Sequence, residues 1–235
     1  MKKVKAMAIV PARGGSKRLP RKNALPLNDK PLISYTLEAA TKSQCFERVL
    51  FSSDDEELLE IAAVYDVDCE KRSAELASDT SRVIELVNFL VEKEELRKQF
   101  DVIALLLPTC PFRRSTDIQK GFSLLTDDVD SVVSMTSFDF PPQLSMKLGA
   151  DGLLKPVFEP CALMTGDTRS QDQAEILHPN GGFYISWWEK LLVNKNFFNG
   201  RVRPCKMSRL YSADVDTLDD FKHAEYLIKS GAIAL

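Results

Sequence analysis

The stretch Val102-Ile-Ala-Leu-Leu-Leu107 sets six apolar side chains in a row, with no polar position to turn toward water. A strand alternates its side chains between two faces, so a run of this kind needs cover on both sides. That demand selects a sheet sandwiched between layers of helix. Ala6 to Val10 is a second such run, and Arg48–Ser52, a short piece around Val67–Glu70, Ser131–Thr136 and Phe183–Trp187 read as further strands. Helical patterns fall between them. Pro31 opens one that runs to Ser43, with Leu32, Tyr35, Leu37 and Ala39 or Ala40 turned inward. Ser53-Asp-Asp-Glu56 has the form of a capping box and predicts a helix to Tyr65; others are expected over 81–98, 115–126 and 217–230. Strands alternating with helices imply parallel pairing through right-handed crossovers, and ligands then bind beyond the carboxyl ends of the strands.

Two of the connecting loops carry chemistry. After Val10 the chain reads Pro11-Ala-Arg-Gly-Gly-Ser-Lys-Arg-Leu-Pro-Arg-Lys-Asn23. Gly14 and Gly15 let backbone N–H groups approach an anion, and Arg13, Lys17, Arg18, Arg21 and Lys22 add charge within the same few residues. The same composition also describes a solvated basic turn. Near the other end lies Ser212-Ala-Asp-Val-Asp216. If this piece is extended, Asp214 and Asp216 point to one side, where they repel or share a hard divalent ion such as Mg²⁺ with substrate phosphate oxygens. The alternative is a solvated Asp214 and an Asp216 that caps the following helix. Asp54 and Asp55 read as servants of a helix end rather than as metal ligands. The loop Pro108–Arg114 should share a crevice with the first loop.

Other classes fall away. Thirty-one Lys and Arg against 34 Asp and Glu leave a formal charge of −3, so nucleic-acid binding over a broad surface is not expected; the cations are concentrated in the opening loop. Five cysteines without a C-x-x-C pair indicate neither a disulfide framework nor a zinc knuckle, and suit reduced thiols in a cytoplasm. No run approaches the ~18 apolar residues of a membrane span. The apolar piece after the first lysines is cut by Pro11 and Arg13, too early for a signal peptide. Neither G-x-x-x-x-G-K-[ST] nor G-x-G-x-x-G occurs, and with two histidines and no G-x-S-x-G a Ser/His hydrolase fits poorly. From Phe138 to Pro179 prolines and glycines interrupt short apolar pieces without helical period, which predicts a β-rich lobe inserted into a single domain spanning 1–235; Asn180-Gly-Gly182 should then turn the chain back into the sheet.

These residues resemble a known family. The opening motif Ile9–Asn23, Ser52–Glu56, Arg72–Thr80, Leu107–Arg113, Pro179–Tyr184, Asn196–Phe198 and Ser212–Asp216 occur in the order found in the acylneuraminate cytidylyltransferases, the CMP-sialic acid synthetases. The resemblance implies a Rossmann-like, three-layer α/β/α nucleotidyltransferase fold of the glycosyltransferase-A type, with a small β-rich lobe that makes a homodimer. It implies CTP as donor, Mg²⁺, and a nonulosonic (sialic-type) 2-keto sugar acid whose anomeric hydroxyl displaces pyrophosphate. By the same resemblance Arg13, Lys22, Asp214 and Asp216 are catalytic, the two aspartates holding the metal. Ala12, Arg13, Gly14, Gly15, Ser16, Lys22, Asn23 and Arg72 then bind the nucleotide. Leu107, Gln171, Asp172, His178, Asn180, Tyr184, Phe197 and Phe198 fall at the sugar. The chain departs from the family at Leu107, where sialic acid enzymes often carry Gln, at His178, where Arg is common, and at Ser170 in the run Arg169-Ser-Gln-Asp172. A legionaminate, pseudaminate or Kdo-type acid is therefore an alternative acceptor. A sugar-1-phosphate nucleotidyltransferase on the same fold is a further alternative, disfavoured by the lack of a cation cluster near His178.

Overall fold

The computed structural model describes residues 4–73 and 82–233. Strand β1 (Ala6–Pro11) leads through the basic loop and a 3-10 turn (Lys22–Ala24) to a small ribbon, β2 (Pro26–Leu27) and β3 (Lys30–Pro31), and then to α1 (Leu32–Ser43). The chain continues as β4 (Arg48–Ser53), α2 (Glu56–Ala62), β5 (Asp68–Lys71), α3 (Val83–Val91), α4 (Glu94–Arg97), β6 (Val102–Leu105), α5 (Ser115–Leu124) and β7 (Ser131–Ser137). It ends with β8 (Met146–Leu148), β9 (Leu154–Pro156), α6 (Ala162–Thr165), β10 (Leu177–Trp187), α7 (Trp188–Asn194), β11 (Val202–Lys206) and α8 (Leu218–Lys229).

Seven strands form the main sheet in the order β11-β7-β10-β6-β1-β4-β5. β1 lies parallel to β4 and β6, β4 to β5, and β7 to β11. The exception is β10, antiparallel to β6 with Tyr184 opposite Leu105, so the sheet is mixed rather than wholly parallel. The chain reaches β10 without a crossover helix to carry it back to the start of the sheet, and only an antiparallel return is then available. The central strands are covered on both faces, whereas edge strand β5 is largely exposed. Ala6, Ala8 and Val10 of β1 pack with Ile33, Leu37, Phe51 and Phe183, while Met7 and Ile9 pack with Leu50, Leu86, Leu90, Ile103 and Trp188. Val102, Ile103, Ala104 and Leu106 are fully buried, as the unbroken apolar run requires.

Several elements differ in detail from the pattern in the sequence. The helix expected over 81–98 is two, with Lys93 extended between them; residue 81 lies outside the described residues. The indole of Trp188 donates to the Val91 carbonyl at 3.1 Å, a side chain claiming the acceptor at the break. Helix α2 is capped by Asp55, whose carboxylate accepts from Leu58 N, and ends at Ala62 rather than Tyr65. Asn180-Gly-Gly182 is not a turn: it lies within β10, with Gly181 at φ +72°. Helix α8 is capped by Thr217 in a box with Asp220, which releases Asp216 from that duty.

The chain divides into two compact units, Met1–Met135 with Pro179–Leu235, and Thr136–His178. The smaller unit holds the β8–β9 hairpin, with Leu148 opposite Leu154, together with the short helix α6 and two 3-10 turns. It buries little of its own: Leu144, Cys161 and Ala162 are the hydrophobic side chains it hides among the described residues.

Candidate active site

The site begins with an apolar plug. Leu19, in the middle of the basic loop, packs with Leu27, Phe112, Phe221 and Val215, and each of these is buried. Burial of side chains of this size contributes about 1.5–3 kcal/mol apiece, enough to fold the loop back across the end of β1. Val215 is fully buried and its N–H donates to the Thr109 carbonyl at 2.8 Å. With Val215 turned inward, its neighbours Asp214 and Asp216 both face a cavity of about 390 Å³. Arg13, Lys22, Asn23 and Arg72 line the same cavity. It therefore lies at the carboxyl ends of β1 and β4, where an α/β sheet binds its ligands.

The charges there are matched across the chain. Lys22 Nζ donates to Asp216 Oδ1 at 2.7 Å, and Arg18 Nη2 to Asp216 Oδ2 at 2.6 Å. Burial drives the Asp214 carboxyl above the ordinary aspartate range and the charge of Asp216 adds to the rise; a hydrogen bond from the Thr109 hydroxyl and the charge of Lys22 work against it. Arg72 braces the strand ends, Nε to Ser52 Oγ at 3.2 Å and Nη2 to the Ser52 and Ala12 carbonyls at 2.5 and 3.4 Å. Burial lowers its guanidinium pKa, with Asp54 opposing that shift and Arg13 reinforcing it. Asn23 is buried; Nδ2 donates to the Arg13 carbonyl at 3.2 Å, while Oδ1 is buried with no donor among the described residues. Gly14 explains its own identity. Its N–H donates to Asp54 Oδ1 at 3.1 Å, and a Cβ there would lie 2.3 Å from Asp55 Oδ2. The acids ahead of α2 thus hold the loop, and Arg21 joins them through Asp55 and Glu57.

Of the residues predicted for the nucleotide and metal, Ala12, Arg13, Ser16, Lys22, Asn23, Arg72, Asp214 and Asp216 line the cavity; Gly14 and Gly15 belong to its loop without lining it. The residues predicted for the acceptor are more scattered. Leu107 lines the cavity. Tyr184 is raised in pKa by burial and then by the charge of Asp214, and its ring meets Phe197 at 5.6 Å and Phe198 at 6.0 Å; it does not line the cavity. Phe197 is a core residue and Phe198 is exposed. Asn180 is buried and committed within the fold, donating to Ser212 Oγ at 2.8 Å and accepting from Gly182 N at 3.1 Å. It steadies the segment that carries the aspartates. Gln171, Asp172 and His178 belong to the other unit, the first two exposed on a 3-10 turn and the last with its ring 4.5 Å from that of Phe138.

Lys17, Arg18, Thr109 and Arg82 are among the further polar residues of the lining, and the sequence reading does not assign them to the site. Arg18 stood among the loop cations and Thr109 in the Pro108-Thr-Cys motif, whereas Arg82 had no local signal. Among the described residues no group of three or more His, Cys, Asp or Glu side chains gathers as a metal site. The available donor set is the pair Asp214 and Asp216. It fits a hard ion such as Mg²⁺, which takes one or two carboxylates and fills its shell from phosphate and water. Six cations against two carboxylates make the cavity wall net positive, suited to a polyanion.

Comparison with known proteins gives a consistent result. Residues 7–147 match the cytidylyltransferase family. The chain is 32% identical to the CMP-N,N'-diacetyllegionaminic acid synthase of Legionella pneumophila, over 99% of this chain and 100% of that protein. It is 33% identical to the N-acylneuraminate cytidylyltransferase of Streptococcus agalactiae over 94% of this chain, and spans about half (52%) of that relative's length. Identity to the pseudaminic acid cytidylyltransferase of Campylobacter jejuni is 29%, over 96% of this chain and 97% of the other. Among solved structures, CMP:2-keto-3-deoxy-manno-octonic acid synthetase complexed with CTP superposes with a TM-score of 0.69 at 17% identity, covering 97% of this chain and 99% of that one. The fold is thus that of an α/β nucleotidyltransferase.

Proposed function

Since the chain belongs to the cytidylyltransferase family and is a nucleotidyltransferase, we propose that it joins CMP from CTP to the anomeric hydroxyl of a nonulosonic 2-keto sugar acid, with Mg²⁺ as cofactor. The observation that carries this reading is the Lys22–Asp216 pair, 2.7 Å long and spanning 194 residues of sequence, which brings the phosphate-binding loop and the acidic pair into one cavity. Arg13 and Lys22, with Arg72 behind them, hold the triphosphate and balance the charge that grows on the departing pyrophosphate. The anomeric hydroxyl gives its proton to water as its oxygen bonds to the α-phosphorus, the bond from that phosphorus to the bridging oxygen breaks, and pyrophosphate leaves with the electron pair. The fold also fixes donor and acceptor in line, which removes part of the entropic barrier. The unpartnered Oδ1 of Asn23 is an acceptor for an N–H or O–H of the nucleoside. Asp214 and Asp216 would hold Mg²⁺, which when bound supplies charge neutralisation at the triphosphate and activation of the attacking hydroxyl.

Leu107 narrows the acceptor. An apolar side chain in the cavity wall cannot hydrogen-bond a sugar hydroxyl, which favours an acid of the legionaminate or pseudaminate type over N-acetylneuraminate. Two relatives matched over nearly their whole length carry those names. The Thr136–His178 unit supports a homodimer, because half of the exposed large hydrophobic side chains among the described residues fall in it, including Phe140, Leu148, Leu154 and Met164. No helix is long and apolar enough to cross a membrane among the described residues. A cytoplasmic setting, where CTP is made and the five free cysteines stay reduced, completes the proposal. The test is to incubate the protein with Mg²⁺ and each nucleoside triphosphate against a panel of nonulosonic acids, Kdo and sugar-1-phosphates, following pyrophosphate release. Turnover is expected with CTP and a nonulosonic acid, most rapidly with a legionaminate-type acid. No release with CTP and any 2-keto sugar acid overturns the reading.

A further inference from the structure

Both oxygens of Asp216 are taken by cations, and the two partners are not equivalent. Lys22, on Oδ1, has a side chain only 10% exposed and sits beside buried Asn23; Arg18, on Oδ2, is 69% exposed. Removing the carboxylate from Lys22 would strand an ammonium in a desolvated place, whereas Arg18 can exchange its partner for water at little cost. A divalent cation approaching Asp216 is repelled by both of the cations already on it, and Arg18 is the one able to leave. Arg18 also lines the cavity that Arg13, Lys22 and Arg72 line. Released from Asp216, its guanidinium remains at the place where a triphosphate would lie, and the planar fork that pairs with a carboxylate pairs equally with a phosphate.

We propose that Arg18 is an additional residue of the nucleotide site, an exchanging cation that holds Asp216 before CTP arrives and passes to a phosphate oxygen as Asp216 passes to the metal. The inference rests on the CTP–Mg²⁺ reading of this cavity and adds to it a coupling. Each transfer frees the partner that the other needs, so nucleotide and metal favour each other's binding. Arg18 is thus a competitor of the metal in the nucleotide-free protein and a ligand of the nucleotide in the complex.

Mn²⁺ is the probe, titrated by electron paramagnetic resonance into nucleotide-free wild-type protein and into the variants Arg18→Gln, Arg18→Lys and Arg21→Gln. Arg18→Gln is expected to bind Mn²⁺ about fivefold tighter than wild type, and Arg18→Lys, which keeps the pair, to stay within about twofold. Arg21→Gln removes the same charge from the same loop, but from Asp55 and Glu57, and should also stay within about twofold. In steady-state assays with saturating Mg²⁺, Arg18→Gln should raise KM for CTP about fivefold with a smaller change in kcat. Equal Mn²⁺ affinity in wild type and Arg18→Gln overturns the exchange. So does an equal gain in Arg21→Gln, or no Mn²⁺ binding by Arg18→Gln. The titration needs neither CTP nor acceptor, so its failure counts against the exchange alone, while failure of the wild-type protein to turn over CTP counts against the cytidylyltransferase reading.

Discussion

The basic loop at 11–23 and the segment 136–178 look alike in sequence, both broken by proline and glycine, yet they satisfy themselves in opposite ways. The loop's single large apolar side chain, Leu19, is buried against Phe112 and Val215, and its charges find partners in the same chain: Arg18 and Lys22 on Asp216, Arg21 on Asp55 and Glu57. The 136–178 segment exposes Phe140, Leu148, Leu153, Leu154 and Met164, and its hairpin sets Leu148 directly across from Leu154 with both open to water. One region satisfies itself within a single copy of the chain; the other leaves apolar surface exposed among the described residues. The difference teaches where each function lies. Matched charge around a cavity suits the proposed polyanion site, and exposed apolar surface suits the proposed contact with a second copy.

The sharpest way to break this contrast is at the loop. Asp216→Asn keeps the shape and removes the charge, and turnover should fall about 10²–10³-fold, comparable to the loss of one electrostatic catalytic group. Stability should fall as well, because Lys22 loses its carboxylate; a cost of about 2 kcal/mol lowers the melting temperature of a chain of this size by about 4–8 °C and leaves it folded at assay temperature. Wild-type rates in that variant would show that the acidic pair serves the fold alone. The next largest effect is expected in the smaller unit. Leu148→Asp combined with Leu154→Asp places like charges opposite each other on the exposed hairpin face, and light scattering after gel filtration should find a monomer where the wild-type protein is a dimer. A wild-type monomer, or a dimer untouched by both charges, would remove the distinction between the regions.

The smallest effect concerns proton uptake at Asp214. Its carboxyl is raised by burial and by Asp216, and the Thr109 hydroxyl holds it down. Metal binding needs the ionised form, so turnover should decline as pH falls through a point above the ordinary aspartate range. Thr109→Val removes the donor and should move that acidic limb to higher pH, leaving the rate at alkaline pH nearly unchanged. Stability has the opposite sign. A carboxyl whose pKa is raised on folding favours the folded state while protonated, and that contribution is lost as pH rises through the raised pKa. Asp214 is open to the cavity mouth, so the stability term should be small beside the effect on turnover. A pH–rate profile of the two proteins reads the shift directly; coincident acidic limbs would remove Thr109 from the control of Asp214.

Local pattern reached far in this chain. The apolar runs at 6–10 and 102–107 announced the central strands because cover on both faces leaves no polar position, and the i, i+2 spacing of Asp214 and Asp216 put both carboxylates on one side of Val215. Gly14 was legible as a place needing close approach, though the approaching group proved to be Asp55. Other features had no local mark. The 81–98 pattern gives no notice of Trp188 taking the Val91 carbonyl, nor does Asn180-Gly-Gly182 announce a strand, because both depend on what packs alongside.

What the sequence determined by itself is therefore six of the seven strands of the main sheet, the gathering of cations in the opening loop and the pairing of two carboxylates, all consequences of composition and spacing over a few residues; β11 carried no such mark. The tertiary structure alone decided that Lys22 and Arg18 meet Asp216 from almost 200 positions away, at separations of 194 and 198 residues. That meeting follows from buried Leu19 and Val215 sharing one apolar cluster, and long-range packing of this kind leaves no periodicity in the chain that forms it.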